Sequence, residues 1–115
     1  MAVKFDLYNN QGEGVNSTGL FVGGAAPTNV GSVSLANTGI DLHSGHTFDV
    51  TMSYDGVTLT VTITDKVTGA RATQKYVVDI VKAVGATRAF VGFTGGTGGL
   101  TATEDILAWD YSPQP

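Results

Sequence analysis

The stretch "TFDVTMSYDGVTLTVTITDKVTGARATQKYVVDI", residues 47 to 80, constrains the fold more than any other part of the chain. Phe48, Val50, Met52 and Tyr54 alternate with Thr47, Asp49, Thr51 and Ser53. That two-residue period is the mark of a half-buried strand. Asp55-Gly56 follows, a pair able to take positive φ and reverse the chain. Val57, Leu59, Val61 and Ile63 then alternate with four threonines, Thr58, Thr60, Thr62 and Thr64. A second turn over Lys66 to Ala70 contains Gly69, and Arg71 to Asp79 returns as a third strand. The pattern predicts an antiparallel meander with one wet, threonine-rich face and one apolar face.

Shorter segments flank it. "AVKFDLYNN" opens the chain as a strand with Lys4, Asp6, Tyr8 and Asn10 on one face and Phe5 and Leu7 on the other. "TGLFVGG" (18 to 24) and "SVSL" (32 to 35) read as short strands, as do "RAFVGFTG" (88 to 95) and "DILAWDY" (105 to 111). "DIVKAVG" (79 to 85) is the one helical candidate, barely two turns long and ended by Gly85. Several short strands punctuated by Gly, Asn and Asp predict an all-β antiparallel sandwich in a single domain spanning 1 to 115.

Charged residues make up only 14% of the chain, so its wet surfaces must be mostly Thr, Ser, Asn and Gly. The net charge of −4, with no Lys/Arg cluster, argues against nucleic acid and anionic membranes as partners. No apolar run is long enough to span a bilayer. The start "MAVKFD" lacks a basic stretch followed by a hydrophobic segment, so no signal peptide is expected in this chain. There are no cysteines, which removes disulfides and thiolate metal sites.

Three stretches in this order resemble the second half of a legume-type (L-type, concanavalin A-like) lectin domain: "AVKFDLYNN", "YDGVTLTVTITD…YVVDI" and "VGFTGGTGGLTATEDILAWDY". The likeness covers nearly the whole chain but about half of that family's domain. It implies a concanavalin A-like jelly roll of half length, in which two sheets bury their inner faces against each other. Half a sandwich leaves apolar faces uncovered, and a second copy related by a two-fold axis covers them most simply. A homodimer or higher homo-oligomer is therefore expected, against a smaller self-sufficient sandwich as the alternative.

The resemblance also implies a function, that of a non-catalytic, extracellular carbohydrate-binding module. In the family, the opening strand and its following loop hold calcium and a neighbouring transition-metal ion. Carried over residue by residue, Asp6 matches the bridging carboxylate, Tyr8 the backbone carbonyl ligand and Asn10 the amide-oxygen ligand, while Glu13 is the nearest further carboxylate. Asn10 also matches the residue that donates to a sugar hydroxyl. "GGTGGL" (95 to 100) aligns with a loop lining the sugar pocket, with Gly98, Gly99 and Leu100 as backbone contacts and Tyr8 and Leu100 as apolar ones.

Two departures bear on the metals. Lys4 stands where the family carries a glutamate, and Ser17 where it carries a histidine, so the transition-metal site is expected to be lost. Calcium stays open between one ion held by Asp6, Tyr8, Asn10 and Glu13 and none, with a Lys4–Asp6 contact in its place. Trp109 reads as core or interface, and His43 and His46 as solvated loop residues rather than ligands. No pair of carboxylates with the spacing of a glycosidase emerges, since Glu104 and Asp105 are adjacent and only Asp6 lies mid-strand. Catalysis is not expected. The alternative function is a structural or self-assembly half-lectin module that has lost sugar binding.

Overall fold

The computed structural model describes residues 1–9, 11–25, 28–96, 102 and 104–112. Two three-stranded antiparallel sheets carry the architecture, and among the described residues helix is confined to five. The first sheet has the order β1 (Ala2–Asp6), β2 (Ser17–Phe21), β3 (Ser32–Ser34), with Lys4 opposite Gly19 and Asp6 opposite Ser17. The second has the order β4 (Phe48–Tyr54), β5 (Thr58–Asp65), β6 (Arg71–Val77). This is the meander expected from the alternating run. No helix among the described residues is long and apolar enough to cross a membrane.

The turns of the second sheet follow from their side chains. Asp55 Oδ1 accepts the Val57 and Thr58 N–H groups at 2.9 and 2.7 Å, and Gly56 takes φ +98°. An L side chain at that φ would be strained, which is why the turn has Gly there. After β6, α1 (Ile80–Val84) starts on Asp79, whose side chain accepts from Lys82 N at 3.1 Å. It ends on Gly85 in the left-handed region, with the Gly85 N–H donating to Val81 O. The Tyr54 hydroxyl accepts from Ile80 N at 3.2 Å and lies 2.8 Å from Val78 O, tying the helix start to β4.

β5 is the central strand and shows the sharpest alternation: Leu59, Val61, Ile63 and Asp65 are buried, and the threonines between them are half-buried. The chain leaving β3 brings Leu35 and Ile40, 0% and 2% exposed, onto Ile63 and Ala72 of the second sheet. Leu42, Phe48 and Ala70 close around this cluster. Each fully buried aliphatic side chain contributes about 1.5–3 kcal/mol. The core therefore sits at one end of the second sheet. Along the edge strand β4 its apolar face is open, for Val50 and Met52, directly opposite Ile63 and Val61, are 41% and 46% exposed.

Two expected strands do not form. Residues 88–96 and 104–112 carry no strand or helix, despite their alternating sequence. Alternation marks a face, but a strand also needs a ladder partner, and neither segment pairs with the free edge of β4 or β6. Their apolar side chains stay open, with Phe93 and Trp109 56% and 55% exposed and packed edge-to-face at 5.4 Å. Trp109 is thus outside the chain's own core. It borders an open cleft of about 510 Å³ with Val50, Thr51, Met52, Ala108 and Asp110.

Gly19 is the tightest backbone position on the first sheet. A Cβ there would lie 2.6 Å from Gly31 O and 2.9 Å from the Phe21 ring. Gly19→Ala is expected to cost about 1–3 kcal/mol through this overlap, seen as a lowered Tm. An unchanged Tm would contradict the close approach of residue 31 to β2.

Candidate functional site

The end of β1 is where the sequence places most of its functional side chains. Positions 4 and 6 of a strand share a face, and here the Lys4 Nζ meets Asp6 Oδ2 at 3.0 Å. The pair is largely withdrawn from water, its side chains 9% and 19% exposed. The second carboxylate oxygen, Oδ1, accepts the Tyr8 N–H at 3.2 Å, which turns the chain out of the strand. The ammonium also lies 5.5 Å from the centroid of the Phe21 ring, within cation–π range. From the neighbouring strand, the Thr18 hydroxyl donates to Lys4 O at 2.8 Å. Ser17, paired with Asp6 in the ladder, is fully buried, and its hydroxyl finds no hydrogen-bond partner among the described residues.

The loop after β1 is held from within and from outside. Glu13 is buried, and its Oε2 accepts the Gln11 N–H at 2.7 Å. Asn9 Oδ1 accepts from Gly12 N at 2.7 Å, with Gly12 at φ +86°. At the far end, Asn16 bridges to the core-forming segment, its Nδ2 donating to Ile40 O at 2.7 Å and its Oδ1 accepting from Leu42 N at 3.1 Å. His43 Nε2 sits 2.6 Å from Leu7 O and 2.8 Å from Val15 O, so one ring nitrogen spans both ends of the loop. The same ring stands edge-on to Tyr8, centroids 5.6 Å apart.

A second polar pair lies behind this region. His46 Nδ1 donates to Asp65 Oδ2 at 2.7 Å, and Asp65 Oδ1 accepts the N–H groups of Val67 and Thr68 at 2.8 and 3.2 Å. Asp65 is 2% exposed, and the hydrogen bond from His46, aided by the two backbone donors, holds its carboxyl below the ordinary 3.8 against the opposing effect of burial. These contacts fix the β5–β6 turn to the segment that carries His43.

Of the expected site residues, Asp6, Tyr8 and Glu13 are described, and all three lie on or beside this strand exit. Asn10, Gly98, Gly99 and Leu100 lie outside the described residues. The described donors do not fit a divalent cation at Asp6. Both of its oxygens are engaged by Lys4 and Tyr8, and Glu13 is turned onto its own loop. Among the described residues, no three His, Asp or Glu side chains stand close enough to hold a metal ion. Asn16, His43 and the His46–Asp65 pair are the functional supports that the sequence did not single out. The histidines drew notice only as solvated loop residues, because nothing in "LHSGH" reports contacts 28 and 36 residues away.

With this geometry in hand, comparison with protein families finds the legume lectin domain matching residues 1–115, the whole chain. A comparison with curated proteins finds no match.

The Asp65 contacts carry a pH dependence. Its folded carboxyl is lowered, so its stabilising effect is complete above the ordinary 3.8 and is lost as pH falls through the lower folded value. Thermal melts between pH 6 and 2 should show Tm falling below about pH 4, and Asp65→Asn should flatten that slope. An equal slope in the variant would contradict the assignment.

Proposed function

Because the chain belongs to the legume lectin domain family over residues 1–115, we propose that it is a non-catalytic carbohydrate-binding module whose sugar site lies at the exit of β1. The family match carries this proposal, and the ordered strand exit supports it. Tyr8 is half-buried, its backbone fixed by Asp6 and its ring braced by His43, so it offers a pre-set aromatic face for the flat side of a sugar ring. Ordering such a group before the ligand arrives lowers the entropic cost of binding. Asn10 supplies the amide to a hydroxyl. The resemblance assigns the backbone of Gly98, Gly99 and Leu100 to the same sugar site. Catalysis has no support at this site, since Asp6 is neutralised by Lys4 and Glu13 is committed to its loop. The acidic balance suits an extracellular glycan ligand better than nucleic acid or an anionic membrane.

A second reading, a self-assembly module, is favoured by one observation: the open apolar face at Val50 and Met52. Both readings include a homo-oligomer in which this face is covered by a second copy.

A glycan array followed by isothermal titration tests the first reading. Asn10→Ala should abolish binding, and Tyr8→Ala should weaken it about tenfold, the ~1.4 kcal/mol of one aromatic contact. Silence across all glycans would leave the assembly reading. For the oligomer, sedimentation should give a dimer or larger species that Met52→Lys converts to monomer. A stable wild-type monomer at micromolar concentration would refute self-association.

A further inference from the structure

We infer that the ammonium of Lys4 is the cation of the β1 exit, so that this strand end and its loop are ordered without a divalent metal. The inference comes from a disagreement between the family the chain belongs to and the atoms at the position. A carboxylate at Asp6 that is largely withdrawn from water needs a positive partner. Lys4 provides it at 3.0 Å, itself only 9% exposed, with the Phe21 ring on its flank. The other oxygen accepts the Tyr8 N–H. A divalent ion approaching Asp6 would have to displace the ammonium, leaving that largely buried cation without its partner, or sit beside it against its charge.

The neighbouring positions agree. Ser17, facing Asp6 across the ladder, offers a buried hydroxyl where a metal of this kind is better served by an imidazole. Gly19, facing Lys4, leaves room for the Phe21 ring. Glu13, the remaining carboxylate on this loop, accepts from Gln11. The order that calcium would impose on the loop is supplied instead by backbone acceptors and donors. Asn16 binds Ile40 and Leu42, and His43 binds Leu7 and Val15. Lys4 here is a positioning residue: it neutralises Asp6, and Asp6 orients Tyr8.

The test reads temperature and heat rather than glycan binding, so its failure and that of the lectin reading are distinguishable. Wild-type protein, stripped with EDTA, is melted in chelator and in millimolar CaCl₂ or MnCl₂, and calcium is titrated calorimetrically. The expected results are a Tm equal within 1–2 °C in all three and no saturable calcium heat, on the order expected for a site without metal linkage. Lys4→Met should lower Tm by about 5–10 °C in chelator. Lys4→Glu should do the same and recover several degrees on adding calcium or manganese. A wild-type Tm that falls in EDTA or rises saturably with calcium would overturn the inference. So would a Lys4→Met protein as stable as wild type. If neither variant folds, the wild-type chelator and titration arms alone decide.

Discussion

A carboxylate carried into a largely dry place sets the terms for the rest of this structure. Asp6 ends β1 with 19% of its side chain exposed, and a charge so placed is costly unless it is paired and hydrogen-bonded. Lys4 pairs with it along the same strand face, and the Tyr8 N–H completes it. At a separation of 4 Å and an effective dielectric of 20, a second, divalent cation would be repelled by the ammonium by on the order of 8 kcal/mol. The positive charge that Asp6 meets among the described residues is that of Lys4. The direction of the backbone beyond Asp6, and with it the placing of Tyr8, follows from that pairing.

The strand exit is coupled to the core through two polar residues. Asn16 bonds the Ile40 carbonyl and the Leu42 N–H, and Ile40 is itself packed with Leu35 against Ile63 and Ala72. His43, two residues beyond Asp41, reaches back to both ends of the loop, while His46 anchors the same segment to the buried Asp65. Apolar packing thus fixes the segment 35–46, and hydrogen bonds transmit its position to the loop. Amide and imidazole groups do this positioning in a chain of which only 14% is charged. The same distribution leaves the edge strand β4 thinly covered, where Val50 and Met52 face the cleft beside Trp109.

Much of the fold was legible in the sequence where the information is local. The Thr-alternating run predicted β4 to β6, and Asp55-Gly56 and Gly69 marked the turns between them. The short helix between Asp79 and Gly85 could be read from its two caps. Residues 88–95 and 105–111 alternate like strands without forming them, because alternation reports amphipathicity and pairing depends on an edge that another segment must provide. Trp109, read as core or interface, lies outside the chain's own core because its segment does not pair. At the site, a Lys4–Asp6 contact was one of two open possibilities because i, i+2 spacing puts both on one strand face, whereas the bonds made by Asn16 and His43 span 24 to 36 residues. Such contacts leave no trace in a local pattern. The lectin resemblance points to the same strand end, where Lys4 stands in place of the family's glutamate.

The most direct test of this account is a lysine-selective NMR measurement of the side-chain ammonium groups. Held between a carboxylate and an aromatic ring, the Lys4 NζH₃ group should exchange with water more slowly than the solvent-facing lysines, show through-space contact with Phe21, and keep its resonance when calcium is added. A Lys4 ammonium that exchanges as fast as Lys66, or shifts saturably with calcium, would contradict it.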